Sequence, residues 1–85
     1  MTFSIQFSKD SIDFLKKSDS NLKERIINKI KTLTTNPVPH NSVRIIGEER
    51  TFRIRIGDYR VLYEIFWDKK EILILNIDKR ANAYK

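Results

Sequence analysis

Hydrophobic residues recur along this chain with two periods. Near the start, Phe3, Ile5 and Phe7 alternate with Ser4 and Gln6, the period-2 signature of a strand with one buried face. Ser8 then stands as an N-cap, with Asp10 where a carboxylate suits the helix dipole. A short helix is expected to about Lys17, burying Ile12, Leu15 and Phe14. Ser18-Asp19-Ser20 breaks it and caps the next helix. There Leu22, Ile26, Ile30 and Leu33 form one stripe, widened by Ile27. Asn36-Pro37 ends this helix, because the residue before proline is pushed out of the α region.

The pattern then returns to strands. Pro37–Ser42 reads as a loop, Val43–Ile46 as a short strand stopped by Gly47, and Glu48–Arg50 as a charged turn. Thr51–Trp67 reads as a β-hairpin turning at Gly57-Asp58. Asp68-Lys69-Lys70 is expected as a three-residue loop before a last strand, Glu71–Asp78, and a polar tail, Lys79–Lys85. The order β, α, α and then three or four strands predicts one α+β domain over residues 1–85. An N-terminal strand and a two-helix antiparallel hairpin precede strands forming one antiparallel sheet, with the helices on one face.

A two-residue turn pairs Ile56 with Tyr59 and sets Arg55 opposite Arg60, a like-charge pair that costs stability. Pairing Trp67 with Glu71 brings Ile65 to Leu73, Tyr63 to Leu75 and Val61 to Ile77. This parity predicts a core face of Phe52, Ile54, Ile56, Tyr59, Val61, Tyr63, Ile65, Trp67, Leu73, Leu75 and Ile77. The outer face then gathers Arg53, Arg55, Arg60 and Arg80 at one end, with Asp78 opposite Arg60. Leu62, Phe66, Ile72 and Ile74 form an apolar patch at the other end. Guanidinium groups match phosphate through planar, bidentate hydrogen bonds, so the arginine end is a candidate phosphate site.

Composition narrows the partners. Across 85 residues, 17 Lys and Arg outweigh 11 Asp and Glu, giving a net charge of +6, a balance that favours polyanions. There is no cysteine, which excludes disulfides and thiolate metal sites. No apolar run is long enough to span a membrane, and the first ten residues lack the basic and apolar regions of a signal peptide. A cytoplasmic protein is expected. His40, the single histidine, sits in a loop between prolines and serine and reads as surface rather than as a catalytic base. No cofactor or metal is called for.

Arg44-Ile45-Ile46-Gly47, then TFRIRIGDYRVLYEI, an Asp-Lys turn, and ILILNIDKR followed by Tyr84 resemble the RelE-type toxins of bacterial and archaeal toxin–antitoxin systems. The resemblance spans the whole chain. It implies a ribosome-dependent endoribonuclease (an mRNA interferase) that enters the ribosomal A site, cuts mRNA and inhibits translation. It also implies a cognate RelB-type antitoxin in a heteromeric complex. Carried over by residue, it implies catalytic roles for Arg60, Arg80, Arg55 and Tyr84, with RNA binding by Arg53, Arg44 and Lys79. Arg53 and Arg55 occupy positions often held by lysine in the best-studied type, and arginine stays protonated and is a poor base. Within the same superfamily, ParE-like toxins are non-nucleolytic inhibitors of DNA gyrase and lack the full basic and tyrosine set. A catalytically weak member acting as an antitoxin-binding module is a further alternative.

Overall fold

The computed structural model describes residues 2–79. Strand β1 (Ser4–Phe7) leads into helices α1 (Lys9–Lys17) and α2 (Ser20–Lys31), and α2 runs on into a 3-10 turn, Thr32–Thr34. Four further strands follow: β2 (Val43–Arg44), β3 (Thr51–Ile56), β4 (Tyr59–Phe66) and β5 (Glu71–Lys79). They form one five-stranded sheet in the order β1-β5-β4-β3-β2. The α+β fold is as expected. One detail differs: β1 joins β5 in parallel, while every other pair is antiparallel.

Both helix starts follow the sequence signals. The Ser8 hydroxyl accepts from the Ser11 amide at 3.1 Å, and the Asp19 carboxylate accepts from the Leu22 amide at 2.8 Å, each satisfying a donor the helix leaves open. Ile26, Ile30 and Leu33 are buried as the stripe predicts, and Leu15 with them. Ile12 is instead exposed, and the α1 residue fully buried on that side is Ser11. Its hydroxyl donates to the carbonyls of Ser8 at 2.9 Å and Ile74 at 3.3 Å, so a small polar side chain lets α1 approach β5 closely.

The β3–β4 hairpin has the expected register, with Ile56 opposite Tyr59 and Arg55 opposite Arg60. Gly57 carries φ +59, which suits glycine at the first central position of a two-residue hairpin turn. A Cβ there would also lie 2.5 Å from the Arg25 guanidinium.

The β4–β5 register corrects the expectation. Phe66, not Trp67, pairs with Glu71, so the loop is one residue longer, and Lys70 takes a left-handed φ of 55 to close it. Ile65 therefore meets Ile72 and Tyr63 meets Ile74. A register shift between Leu62 and Tyr63 on the β4 side absorbs the extra residue, and beyond it Val61 meets Ile77 and Arg60 meets Asp78 as predicted. Ile72 and Ile74 thus enter the core, while Leu73 and Leu75 are only half-buried. Trp67 is also not in the core: it is 49% exposed and packs edge-on against Phe3.

The resulting bulge is held from α1. Ser8 donates its hydroxyl to the Leu75 carbonyl at 2.8 Å and its amide to the Ile74 carbonyl at 2.9 Å. The Ile74 bond continues the parallel β1–β5 ladder by one residue, while the Leu75 carbonyl at the bulge is satisfied by the cap hydroxyl.

At the other side of the core, fully buried Tyr63 donates its hydroxyl to the Pro37 carbonyl at 2.6 Å. This ties the loop before β2 to the middle of the sheet. Burial pushes the Tyr63 phenol up to about 12, against a smaller opposite pull from Ser42. The neutral phenol is therefore favoured by folding, and its contribution is complete below about pH 10 and lost as pH rises through about 12. Tyr63→Phe should unfold at lower urea, losing about 1–2 kcal/mol at neutral pH because the Pro37 carbonyl loses its donor. Denaturant melts taken from pH 9 to 12 should show a smaller loss of stability across that window in the variant than in the parent.

Candidate phosphate-binding site

Rows of side chains cross the outer sheet face. Val43, Arg53, Leu62 and Asn76 stand in one register row across four strands. In the next row, Arg55, Arg60 and Asp78 are aligned, about 7 Å away along the strands. Continuing the β2–β3 register by two residues brings Asn41 beside Arg55.

These two rows shape a cleft of about 350 Å³ lined by Asn41, Val43, Arg53, Arg55 and Arg60. The three arginines differ in exposure. Arg55 is exposed, Arg53 half-buried, and Arg60 only 8% exposed. Both Arg60 and its cross-strand neighbour Asp78 are engaged by interactions within the protein. A guanidinium so withdrawn from water has little freedom to move.

The remaining predicted residues are distributed around this cleft. Arg44 pairs with Phe52, on the parity opposite Arg53. It lines a separate hollow of about 460 Å³ with Ile45, Ile46, Gly47, Glu48 and Glu49, where mixed charge gives phosphate no clear preference. Lys79 is exposed and pairs with Tyr59, one residue past the Arg60–Asp78 pair. Arg80 and Tyr84 lie outside the described residues. His40 is exposed and does not line the cleft. Glu64 pairs with Thr51 and Leu73, four residues along β4 from Arg60, about 13 Å. Among the described residues, no group of three or more His, Cys, Asp or Glu is placed to hold a metal ion, and no helix is long and apolar enough to cross a membrane.

The apolar patch predicted at the far end of this face is altered by the β4–β5 register. Ile72 and Ile74 leave it for the core, and Leu73, paired with Glu64, joins Leu62 and Phe66. The Arg50 guanidinium lies 5.7 Å from the centre of the Phe66 ring, a cation–π contact that covers part of it. Sequence reasoning also missed Asn41 and Val43 as walls of the cleft. A two-residue strand gives no readable alternation, and only its pairing with β3 brings position 41 next to Arg55.

The model for the ParE toxin of the parDE type II toxin–antitoxin system matches residues 3–84. The chain belongs to the RelE/ParE superfamily of type II toxins. It is 38% identical over 89 residues to "Putative toxin RelE1" of Methanocaldococcus jannaschii, covering 100% of this chain and 98% of that one. Among solved structures, it is similar to the archaeal RelE–RelB complex from Pyrococcus horikoshii OT3, with a TM-score of 0.83 and 28% identity over 94% of this chain and 97% of that one. The toxin–antitoxin complex RelBE2 from Mycobacterium tuberculosis shares the fold, with a TM-score of 0.81 at 23% identity over 94% and 100%. The chain is thus a RelE-family toxin by sequence and by fold.

If the cleft takes RNA phosphate, each arginine that contacts it releases about one condensed counterion on binding. Arg55→Gln should weaken binding to single-stranded RNA. It should also flatten the dependence of log affinity on log salt by about 0.7, as measured by fluorescence anisotropy across a salt series.

Proposed function

We propose that this toxin is a ribosome-dependent endoribonuclease that cuts mRNA in the A site, and that it acts in the cytoplasm. The observation carrying the reading is the convergence of Arg53, Arg55 and nearly buried Arg60 on one cleft. A like-charge cluster is unfavourable for folding but suited to a phosphodiester, whose charge grows as it is attacked.

The chemistry needs no group beyond the substrate's own hydroxyl as nucleophile. The 2′-oxygen bonds to the adjacent phosphorus, the bond from phosphorus to the 5′-oxygen breaks, and the products are a cyclic phosphate and a 5′-hydroxyl. One proton leaves the 2′-hydroxyl and one is gained by the departing oxygen. In this scheme Arg60, with Arg80, holds the scissile phosphate and stabilises its equatorial oxygens. Arg55 hydrogen-bonds the 2′-hydroxyl, Arg53 orients the backbone, and Tyr84 stacks on a base. Lys79, one residue past the Arg60–Asp78 pair, extends the positive surface along the RNA, and Arg44, on the opposite parity beside Glu48 and Glu49, contributes least to RNA binding. None of the cleft arginines is suited to remove a proton, so the ribosome or the RNA supplies that step.

A RelB-type antitoxin is the proposed partner, supported by the RelE–RelB assembly of the P. horikoshii relative. Val38, Val43 and Ile46, on and around β2, are exposed apolar side chains that such a partner would bury, Ile46 being 98% exposed. A second reading, gyrase inhibition, is favoured by the match to the ParE model. Purified toxin added to a translating extract, with mRNA ends mapped by primer extension, separates the two. Cuts within A-site codons are expected. Intact mRNA together with inhibited gyrase would establish the second reading. Arg60→Lys, which retains charge but not the bidentate fork, should slow cutting by about 10²-fold; undiminished cutting would mean that Arg60 does not hold the scissile phosphate.

A further inference from the structure

Arg53 and Arg60 are shared by two depressions. The cleft of about 350 Å³ lies on one side of them, closed by Asn41 and Val43 beside Arg55. A smaller depression of about 190 Å³ lies on the other, closed by Ile45, Leu62 and Asn76. Each depression therefore has a shared cationic border, an aliphatic wall and one neutral carboxamide. The aliphatic walls are related: Val43 and Ile45 are two residues apart on the same side of the β2 segment, and Leu62 faces Arg53 across the β3–β4 pair. Asn41 and Asn76 are exposed, and no hydrogen bond of either side chain is found among the described residues that would hold it away from a ligand. The loop carrying Asn41 is braced on both sides. Tyr63 holds Pro37, and the Ser42 hydroxyl and amide both donate to the Pro39 carbonyl, at 2.7 and 2.9 Å.

We propose that the two depressions receive the two nucleosides flanking the scissile phosphate, and that Asn41 and Asn76 each read the base edge on their own side. This inference rests on the endonuclease reading and specifies how that cleft selects its substrate. A scissile phosphate held at Arg60, with its backbone oriented by Arg53, sends one nucleoside to each side of the residues that the two depressions share. Unstacked bases present a flat apolar surface and a hydrogen-bonding edge. Aliphatic walls accept the surface, and a carboxamide, with one acceptor and two donors, pairs with the edge. The guanidiniums contact only phosphate and sugar and do not distinguish bases, so base preference falls to the two asparagines.

The test uses the full chain in the translating extract, with cut sites sequenced across many mRNAs. Asn41→Ala and Asn76→Ala are compared with Asn41→Asp and Asn76→Asp, which keep the shape but remove the donors. Each asparagine variant should change relative base usage by about fivefold or more at one of the two nucleotides flanking the cut, Asn41 at one and Asn76 at the other. Unchanged base usage in all four variants, or lower cutting with the same usage, overturns the assignment while leaving the nuclease reading intact. Absence of cutting by the parent protein overturns the nuclease reading itself and this inference with it.

Discussion

The Gly57-Asp58 turn is the constraint on which the site depends. A two-residue connection admits one register, and in this hairpin that register places Arg55 directly across from Arg60. Two cations at that separation repel, and the core on the other face must offset the cost. Val61, Tyr63 and Ile65 on β4, with Phe52, Ile54 and Ile56 on β3, supply it by packing against Ile26, Ile30 and Leu33. The same alternation that buries these residues sends the arginines outward, so core and cationic surface are two faces of one pattern.

A second constraint acts across β5. The four-residue loop after Phe66 puts Ile72 and Ile74 inward, and an unbroken strand would then turn Asn76 and Asp78 into the core. The bulge at Leu75 reverses the parity and returns Asp78 to Arg60 and Asn76 to the row of Arg53. The Leu75 carbonyl at the bulge is held by the Ser8 hydroxyl, and the Ile74 carbonyl beside it by the Ser8 amide and the Ser11 hydroxyl at the start of α1. The first helix, remote in sequence from every cleft arginine, thus helps to place the acid beside Arg60.

The cleft gathers three permanent cations and no carboxylate or histidine among its described lining residues. Arg60 is nearly dry, Arg55 is open to solvent, and Arg53 borders two hollows. Such an arrangement sets cations of graded exposure side by side, with neutral side chains at the edges. The Tyr63–Pro37 bond gives one of those edges a rigid support.

Much of this was legible in the sequence. Period-2 and helical patterns located the strands and helices, Ser8 and Asp19 marked the helix starts, and the Gly-Asp turn set Arg55 against Arg60. These are local signals, carried by side-chain period and backbone preference within a few residues. The β4–β5 register was not legible, because Ile72, Leu73, Ile74 and Leu75 are apolar at both parities and alternation cannot choose a face. Only packing decided it: β1 joining β5 in parallel and the α1 cap seating on the bulge select isoleucines for the core and leucines for the surface. Likewise, the sequence by itself named the arginines, while pairing of a two-residue β2 with β3 determined that Asn41 and Val43 close their cleft. Contacts between segments far apart in the chain leave no periodic trace, so that part of the site exists only in the folded protein.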